Sequence, residues 1–148
     1  MSGLQDRITA PSLMYAGTIP FVACALALII LPAASDWTAP VREVLTAYAL
    51  VIASFMAGVH WGQQLGLALG WQRALMLLSN AVALAVWLGF LLLPFTPMML
   101  LLVAAFVLLL AIDHRLARDG FVTRRYYGHR RAVTAIVCAA LIVSMLAA

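Results

Sequence analysis

His60 is the residue of this sequence best suited to chemistry, because an imidazole gains or loses a proton near neutral pH. It lies inside a long apolar segment, where an ionisable side chain is costly unless it has a partner. On a helical wheel Gln63 and Gln64 fall close to its face, and Trp61 follows it directly in the chain. The pattern predicts a polar stripe on one side of a membrane-spanning helix.

Polar residues of two other apolar segments are expected at the same depth. Asn80 lies near the start of one segment, and Pro20 removes a backbone hydrogen bond in another, close to Tyr15 and Thr18. Two interpretations stay open. In the first, these side chains line a cavity that binds a ligand or passes a proton through His60. In the second, they only hold the helices together by hydrogen bonds, with His60 donating to a carbonyl that Pro20 leaves free.

The sequence limits the cofactors that such a layer would hold. One axial histidine is enough for some haem sites, but His114 and His129 belong to a predicted loop, so a second histidine ligand would have to come from another copy. A quinone or a lipid is the alternative ligand, and no cofactor is firmly expected. Cys24 and Cys138 lie far apart, and no His-Glu-x-x-His pattern or carboxylate pair occurs, so neither a metal site nor catalytic residues are predicted.

Small residues recur at every fourth position around His60, at Ser54, Gly58, Gly62, Gly66 and Gly70. Small residues at this spacing lie on one ridge of a helix and let a neighbouring backbone approach closely. We expect this ridge to pack against another span of the same chain. A contact between two copies of the chain is the alternative.

The composition places all of these residues in a membrane protein. Of the 148 residues, 66% are hydrophobic and 9% are charged, which is far from the balance of a water-soluble domain. About 20 apolar residues cross a bilayer as a helix, and five segments meet that length. They run approximately over residues 13–33, 44–66, 74–94, 98–112 and 132–148. The sequence therefore predicts an all-α, polytopic membrane protein, a single five-helix transmembrane domain over residues 1–148.

A basic segment at about residues 113–131 sets the predicted orientation. Cytoplasmic loops are enriched in arginine, so this segment is expected in the cytoplasm, with the N-terminus inside and the C-terminus outside. Its arginines either contact anionic lipids or serve only as this orientation signal; they are Arg115, Arg118, Arg124, Arg125, Arg130 and Arg131. Asp113 is expected to pair with one of them. No nucleic-acid recognition fold fits in so short a segment.

Three groups of residues resemble a known family. They are the run from Tyr15 to Pro20, the run from Ser54 to Gly62, and Asp113 with Arg115, Leu116 and Tyr126. Together they resemble the domain of unknown function 3429, a bacterial membrane family to which the mitochondrial transmembrane protein 69 is similar. The resemblance covers about residues 11–146, implies the five-helix fold and singles out Gly58, His60, Trp61 and Gly62. It implies no activity.

The sequence as a whole favours a non-enzymatic protein of the bacterial cytoplasmic (inner) membrane. We expect an accessory or assembly subunit of a larger inner-membrane complex, a respiratory complex being one example, because the chain is small and carries no enzyme signature. Its expected partners are membrane lipids and other membrane subunits or further copies of itself. The alternative is a protein that binds a quinone, lipid or haem, or relays or transports protons, through His60.

Overall fold

The computed structural model describes residues 11–66 and 69–147, and this part of the chain is built from helices joined by short connections. The helices are α1 (Pro11–Ala16), α2 (Ile19–Ile30), α3 (Thr38–Gln63), α4 (Leu69–Leu92), α5 (Phe95–Arg118) and α6 (Arg124–Leu146), with a 3₁₀ turn at Gln64–Gly66. Because α1 and α2 together form one span, the described ranges contain five helices long and apolar enough to cross a membrane. The predicted all-α, five-span fold is confirmed. Arg7 and Ala148 lie outside the described residues, and so does the burial of Gly66.

The first span is broken between α1 and α2. Pro20 lies in the first turn of α2, where its ring cannot supply the N–H that a continuous helix would use. The backbone groups at the break find other partners: the Thr18 hydroxyl donates to the Tyr15 carbonyl at 2.7 Å, and the Tyr48 hydroxyl of α3 donates to the Gly17 carbonyl at 3.0 Å. Satisfying these carbonyls inside the bundle is what allows a break at membrane depth.

Alanines, and not glycines, form the buried ridge of α3. Every fourth residue on this side is almost fully buried, at Leu45, Ala49, Ala53 and Ala57. Ser54 is half-buried, whereas Gly58 and Gly62 are exposed, and a Cβ atom placed on either glycine would have no neighbouring atom within 4 Å. The expectation of internal packing is therefore wrong for these two glycines, because the alanine ridge already occupies the face of α3 that points inward.

The basic segment at about residues 113–131 is mostly helical. Helix α5 continues to Arg118, and α6 begins at Arg124 after the cap residue Thr123, whose side chain accepts from the backbone N–H of Tyr126 at 3.2 Å. Only residues 119–123 connect the two helices, and Gly120 supplies the positive φ of 82° that this tight turn needs. A predicted span that is ended where the charged residues begin is too short, because long arginine side chains let a helix continue beyond its apolar part.

The two ridges of α3 should respond to added volume in opposite ways. Ala53→Leu forces extra carbon atoms into a fully buried position and should lower the free energy of unfolding by about 1–3 kcal/mol. Gly58→Ala should be neutral or stabilising by up to about 1 kcal/mol, because alanine favours the helix and nothing lies in its way. Unfolding in mixed detergent micelles, followed by circular dichroism, measures both. A destabilised Gly58→Ala beside an unchanged Ala53→Leu would contradict this assignment of faces.

Candidate functional site

Asp113 bridges two buried side chains at one end of the helical bundle. Its Oδ1 atom lies 2.9 Å from Nε2 of His60, and its Oδ2 atom accepts from Nε of Arg130 at 2.8 Å. All three residues are at least 96% buried. We call His60, Asp113 and Arg130 the buried triad.

Three different helices position the triad. His60 lies in the last turn of α3 and continues the buried side that ends with Ala57. Asp113 belongs to the buried face of α5, and Arg130 lies in the second turn of α6. Since α5 and α6 are joined by the tight turn at residues 119–123, Asp113 and Arg130 come to the same level of the bundle. The triad therefore joins α3, α5 and α6 near the arginine-rich ends of α5 and α6.

The charges within the triad balance. A guanidinium is always protonated in proteins, and the Asp113 carboxylate opposite Arg130 supplies the compensating negative charge. A carboxylate accepts hydrogen bonds, so His60 donates to it through Nε2–H. Charged hydrogen bonds are strong where water is excluded, and removing one partner of a buried pair leaves the other uncompensated. The triad is therefore an interhelical clamp in which the charges of Asp113 and Arg130 compensate each other.

Two polar atoms near the triad are buried without a hydrogen-bond partner in the described part of the chain. They are Nδ1 of His60 and Oε1 of Gln63. When the ring carries its single proton on Nε2, Nδ1 is the bare nitrogen, and an unsatisfied buried acceptor costs on the order of 1–3 kcal/mol. His60 thus keeps one proton-accepting atom that the clamp does not use.

The predicted polar layer does not assemble as one group. Asn80 is exposed and donates to the Met76 carbonyl of its own helix at 2.8 Å, and Trp61 is 47% exposed. Thr18 is buried at the break of the first span, and the Tyr15 hydroxyl lies 3.3 Å from Nδ1 of His129. Gln64 is buried in the 3₁₀ turn, and Gln63 is half-buried. The expected bond from His60 to a carbonyl freed by Pro20 is wrong, because His60 pairs with Asp113.

Arg130 was predicted to contact lipid, and the structure buries it instead. Its Nη1 atom also donates to the sulfur of Met56 on α3, next to its bond with Asp113. The other five arginines of the segment are exposed, at Arg115, Arg118, Arg124, Arg125 and Arg131, and their contact with anionic lipids stays a prediction. Spacing could have singled out Arg130, since it begins the buried series Arg130, Thr134, Val137, Leu141 and Ser144 at alternating steps of four and three.

Metal and haem chemistry find limited support in this arrangement. Within residues 11–66 and 69–147, no three His, Cys, Asp or Glu side chains lie close enough to hold a metal ion. For His60 to bind haem iron through Nε2, it would have to release Asp113. Haem at His60 stays an untested alternative.

Breaking the triad from one side should be more harmful than removing its whole ion pair. Asp113→Asn and Arg130→Met should each lower the free energy of unfolding by about 3–5 kcal/mol, because each leaves one buried charge without its partner. The double variant Asp113→Asn with Arg130→Met leaves no charge behind and should recover most of that loss. Unfolding in mixed micelles measures all three.

The exposed neighbours Asp119→Asn and Arg131→Met are matched controls for this experiment, and each should change the free energy of unfolding by less than about 0.5 kcal/mol. A double variant that loses the full sum of its two single variants would contradict the clamp.

The comparisons with known proteins agree with this architecture. The family model described as protein of unknown function (DUF3429) matches residues 7–146. The chain therefore belongs to this family. No curated protein and no solved structure matches the chain. The similarity to the mitochondrial transmembrane protein 69 stays a prediction.

Proposed function

We propose that this DUF3429 protein is a non-enzymatic accessory or assembly subunit that packs against another protein in the bacterial cytoplasmic membrane. The observation that carries the proposal is a membrane-facing glycine ridge on α3 that no other described part of the chain covers. Gly58 and Gly62 are exposed and have open space where their side chains would be. Without a water-driven hydrophobic effect between helices, close backbone approach at small residues is a main source of association in membranes.

The glycines belong to a longer face of the same helix. Residues at alternating steps of four and three lie along one side of a helix, and here all of them are exposed: Val51, Phe55, Gly58, Gly62 and Leu65 of the following turn. We call these five residues the outer α3 face. Phe55 is 63% exposed and Leu65 is 79% exposed, so large side chains border a low region at the glycines. This shape suits a helix that crosses at Gly58 and Gly62.

The buried triad supports this role by holding α3 in place from behind. His60 lies between Gly58 and Gly62 in sequence but points inward to Asp113 of α5. A clamp on the inner side fixes the rotation of α3 about its own axis, and the rotation decides which residues the outer α3 face presents. The triad therefore positions the surface that contacts the partner, although its own residues do not contact the partner.

The exposed charges favour one orientation in the membrane. Six exposed arginines lie at the triad end of the bundle: Arg73, Arg115, Arg118, Arg124, Arg125 and Arg131. Cytoplasmic membrane segments are rich in arginine, so this end faces the cytoplasm, with the N-terminus inside and the C-terminus outside. The same side chains would contact anionic lipids at the inner surface, each contributing about 1 kcal/mol.

Added bulk on the outer α3 face should separate assembly from folding. Gly58→Leu places a large side chain in open space, so the chain should fold and insert normally but leave its complex. Native mass spectrometry after gentle release from the membrane should show the wild type in a larger assembly and the variant mainly as a monomer. A homo-oligomer in the wild type would identify the partner as a second copy.

Gly128→Leu is the matched control, because Gly128 of α6 is equally open and lies outside the outer α3 face. It should leave the assembly unchanged. An unaltered assembly for Gly58→Leu, or a wild type that is released only as a monomer, would refute the proposed role.

A second candidate function is proton binding or transfer at His60. The observation that favours it is the buried Nδ1 atom, which has no hydrogen-bond partner among the described residues and is free to accept a proton. A histidine next to a carboxylate is a common proton carrier near neutral pH. In this role the triad would bind and release protons as well as hold the helices together.

Proton transfer is tested by flux measurements in proteoliposomes. If His60 carries protons, wild-type protein should dissipate an imposed pH gradient faster than His60→Gln, which keeps a polar side chain but cannot carry a proton at neutral pH. Asn80→Ala is the control and should match the wild type, because Asn80 bonds only within its own helix in the described structure. Equal rates for wild type and His60→Gln would rule out this function.

A further inference from the structure

An apolar cavity lies on the membrane-interior side of the buried triad. It has a volume of about 140 Å³ and lies at the break of the first span, between that span, α3, α5 and α6. Phe21 and Phe106 form part of its wall, with their ring centroids 6.1 Å apart in an edge-to-face arrangement. Leu13 and Phe55 also line it and are 75% and 63% exposed, so the cavity opens toward the lipid. A molecule dissolved in the membrane can therefore enter from the side.

Two buried polar residues line this otherwise apolar space. Arg130 is 4% exposed and Thr134, one helical turn further along α6, is 3% exposed. The bonds to Asp113 and to the sulfur of Met56 use two of the five N–H donors of Arg130, and thioether sulfur is a weak acceptor. The Thr134 hydroxyl adds a group that can donate as well as accept a hydrogen bond. The cavity thus offers hydrogen-bond donors to an oxygen atom inside apolar walls.

The charge balance of the triad selects a neutral ligand. Asp113 already compensates the positive charge of Arg130 at 2.8 Å, so an anionic head would bring an uncompensated negative charge into a water-poor site. A neutral carbonyl oxygen accepts hydrogen bonds without this penalty. Fatty acids and phospholipids therefore fit the site less well than a neutral carbonyl compound.

The size of the cavity selects a single ring. An apolar cavity of about 150 Å³ in another protein is large enough to bind benzene. The cavity here has nearly the same volume, at about 140 Å³, and its two aromatic walls suit a flat partner. The opening at Leu13 and Phe55 would let ring substituents or a hydrocarbon tail extend into the lipid.

We propose that this cavity binds the ring of a neutral, membrane-dissolved carbonyl compound of the quinone class, with Arg130 and Thr134 donating hydrogen bonds to its oxygen atoms. The cavity shares Phe55 with the outer α3 face, but the residues that would bind the oxygen atoms, Arg130 and Thr134, lie on α6. Ligand binding therefore does not depend on either proposed function. Binding is the whole of the proposal, and no reaction of the ring is implied.

The methionines of the chain provide a local readout. Met14 and Met56 line the cavity, whereas Met98 and Met99 are buried in the core and do not line it. Full-length protein with ¹³C-methyl-labelled methionine, in detergent micelles, should be titrated with duroquinone, a fully substituted neutral ring with two carbonyl oxygens. We expect saturable shifts of the Met14 and Met56 signals and no change at Met98 and Met99. Equal shifts at all four methionines would overturn the proposal.

Two matched ligands test the chemistry of recognition. Durene has the same methylated ring without the oxygens and should bind about 25-fold more weakly, because it loses the hydrogen bonds of both Arg130 and Thr134 and each is worth about fivefold. The anion 2,4,6-trimethylbenzoate should not displace duroquinone, because Asp113 leaves no net positive charge to attract it. Durene binding as tightly as duroquinone, or displacement by the anion, would overturn the proposal.

Variants of α6 test the residues. Thr134→Val should weaken duroquinone binding about fivefold and leave durene unaffected, because it removes the hydroxyl and keeps the shape. Thr134→Ser keeps the hydroxyl and should restore binding. Ser144→Ala removes another buried hydroxyl of α6, one that bonds to its own helix at Ala140, and should have no effect. Loss of the same affinity for durene in Thr134→Val would show a structural role only and would contradict recognition by Thr134.

Discussion

The pairing of Asp113 with Arg130 and His60 is the constraint on which the rest of the structure depends. A lone carboxylate or guanidinium is expensive where water is scarce, so each buried charge requires the other at hydrogen-bond distance. The two oxygens of Asp113 bind two different helices, at 2.9 Å and 2.8 Å. Three helices must therefore keep one relative height and one rotation, and small shifts would break a charged contact. Apolar packing in a membrane gives no comparable precision, because lipid tails are as apolar as the side chains they replace.

The fixed rotation of α3 divides this helix into two sides with different tasks. The inner side carries the alanine ridge and His60, and it is closed by the neighbouring helices. The outer side carries Gly58 and Gly62 and remains open. Arg130 makes a similar division on α6, since its bond to Asp113 neutralises it while its position beside Thr134 gives the apolar cavity a polar edge. On α3 and on α6, the bond to Asp113 stabilises the fold. The same bond also positions a surface, the outer α3 face or the wall of the apolar cavity, that the fold leaves open.

Sequence reasoning predicts the helices of this protein well and its side-chain partners less well. Five apolar stretches of sufficient length determine the five spans, because only helices of that length satisfy their backbone within a bilayer. The pattern of small residues gave the wrong inner ridge of α3, since alanine and glycine both permit close approach and only tertiary packing chooses between them. Asp113 was expected to pair with an arginine. Which arginine it pairs with depends on where α5 ends and α6 begins. The predicted spans stop at about residue 112 and resume at about 132, whereas α5 continues to Arg118 and α6 begins at Arg124.

The two charged members of the triad are close in the chain, and this has a consequence for biosynthesis. Asp113 and Arg130 are 17 residues apart, on two helices joined by a tight turn, whereas His60 is 53 residues from Asp113. The helical hairpin of α5 and α6 can neutralise its own charges as soon as both helices have left the ribosome. It can then enter the lipid from the translocon with its two buried charges already paired, before α3 is in contact with it. The bond to His60 is needed only afterwards, when the inserted helices assemble into the bundle.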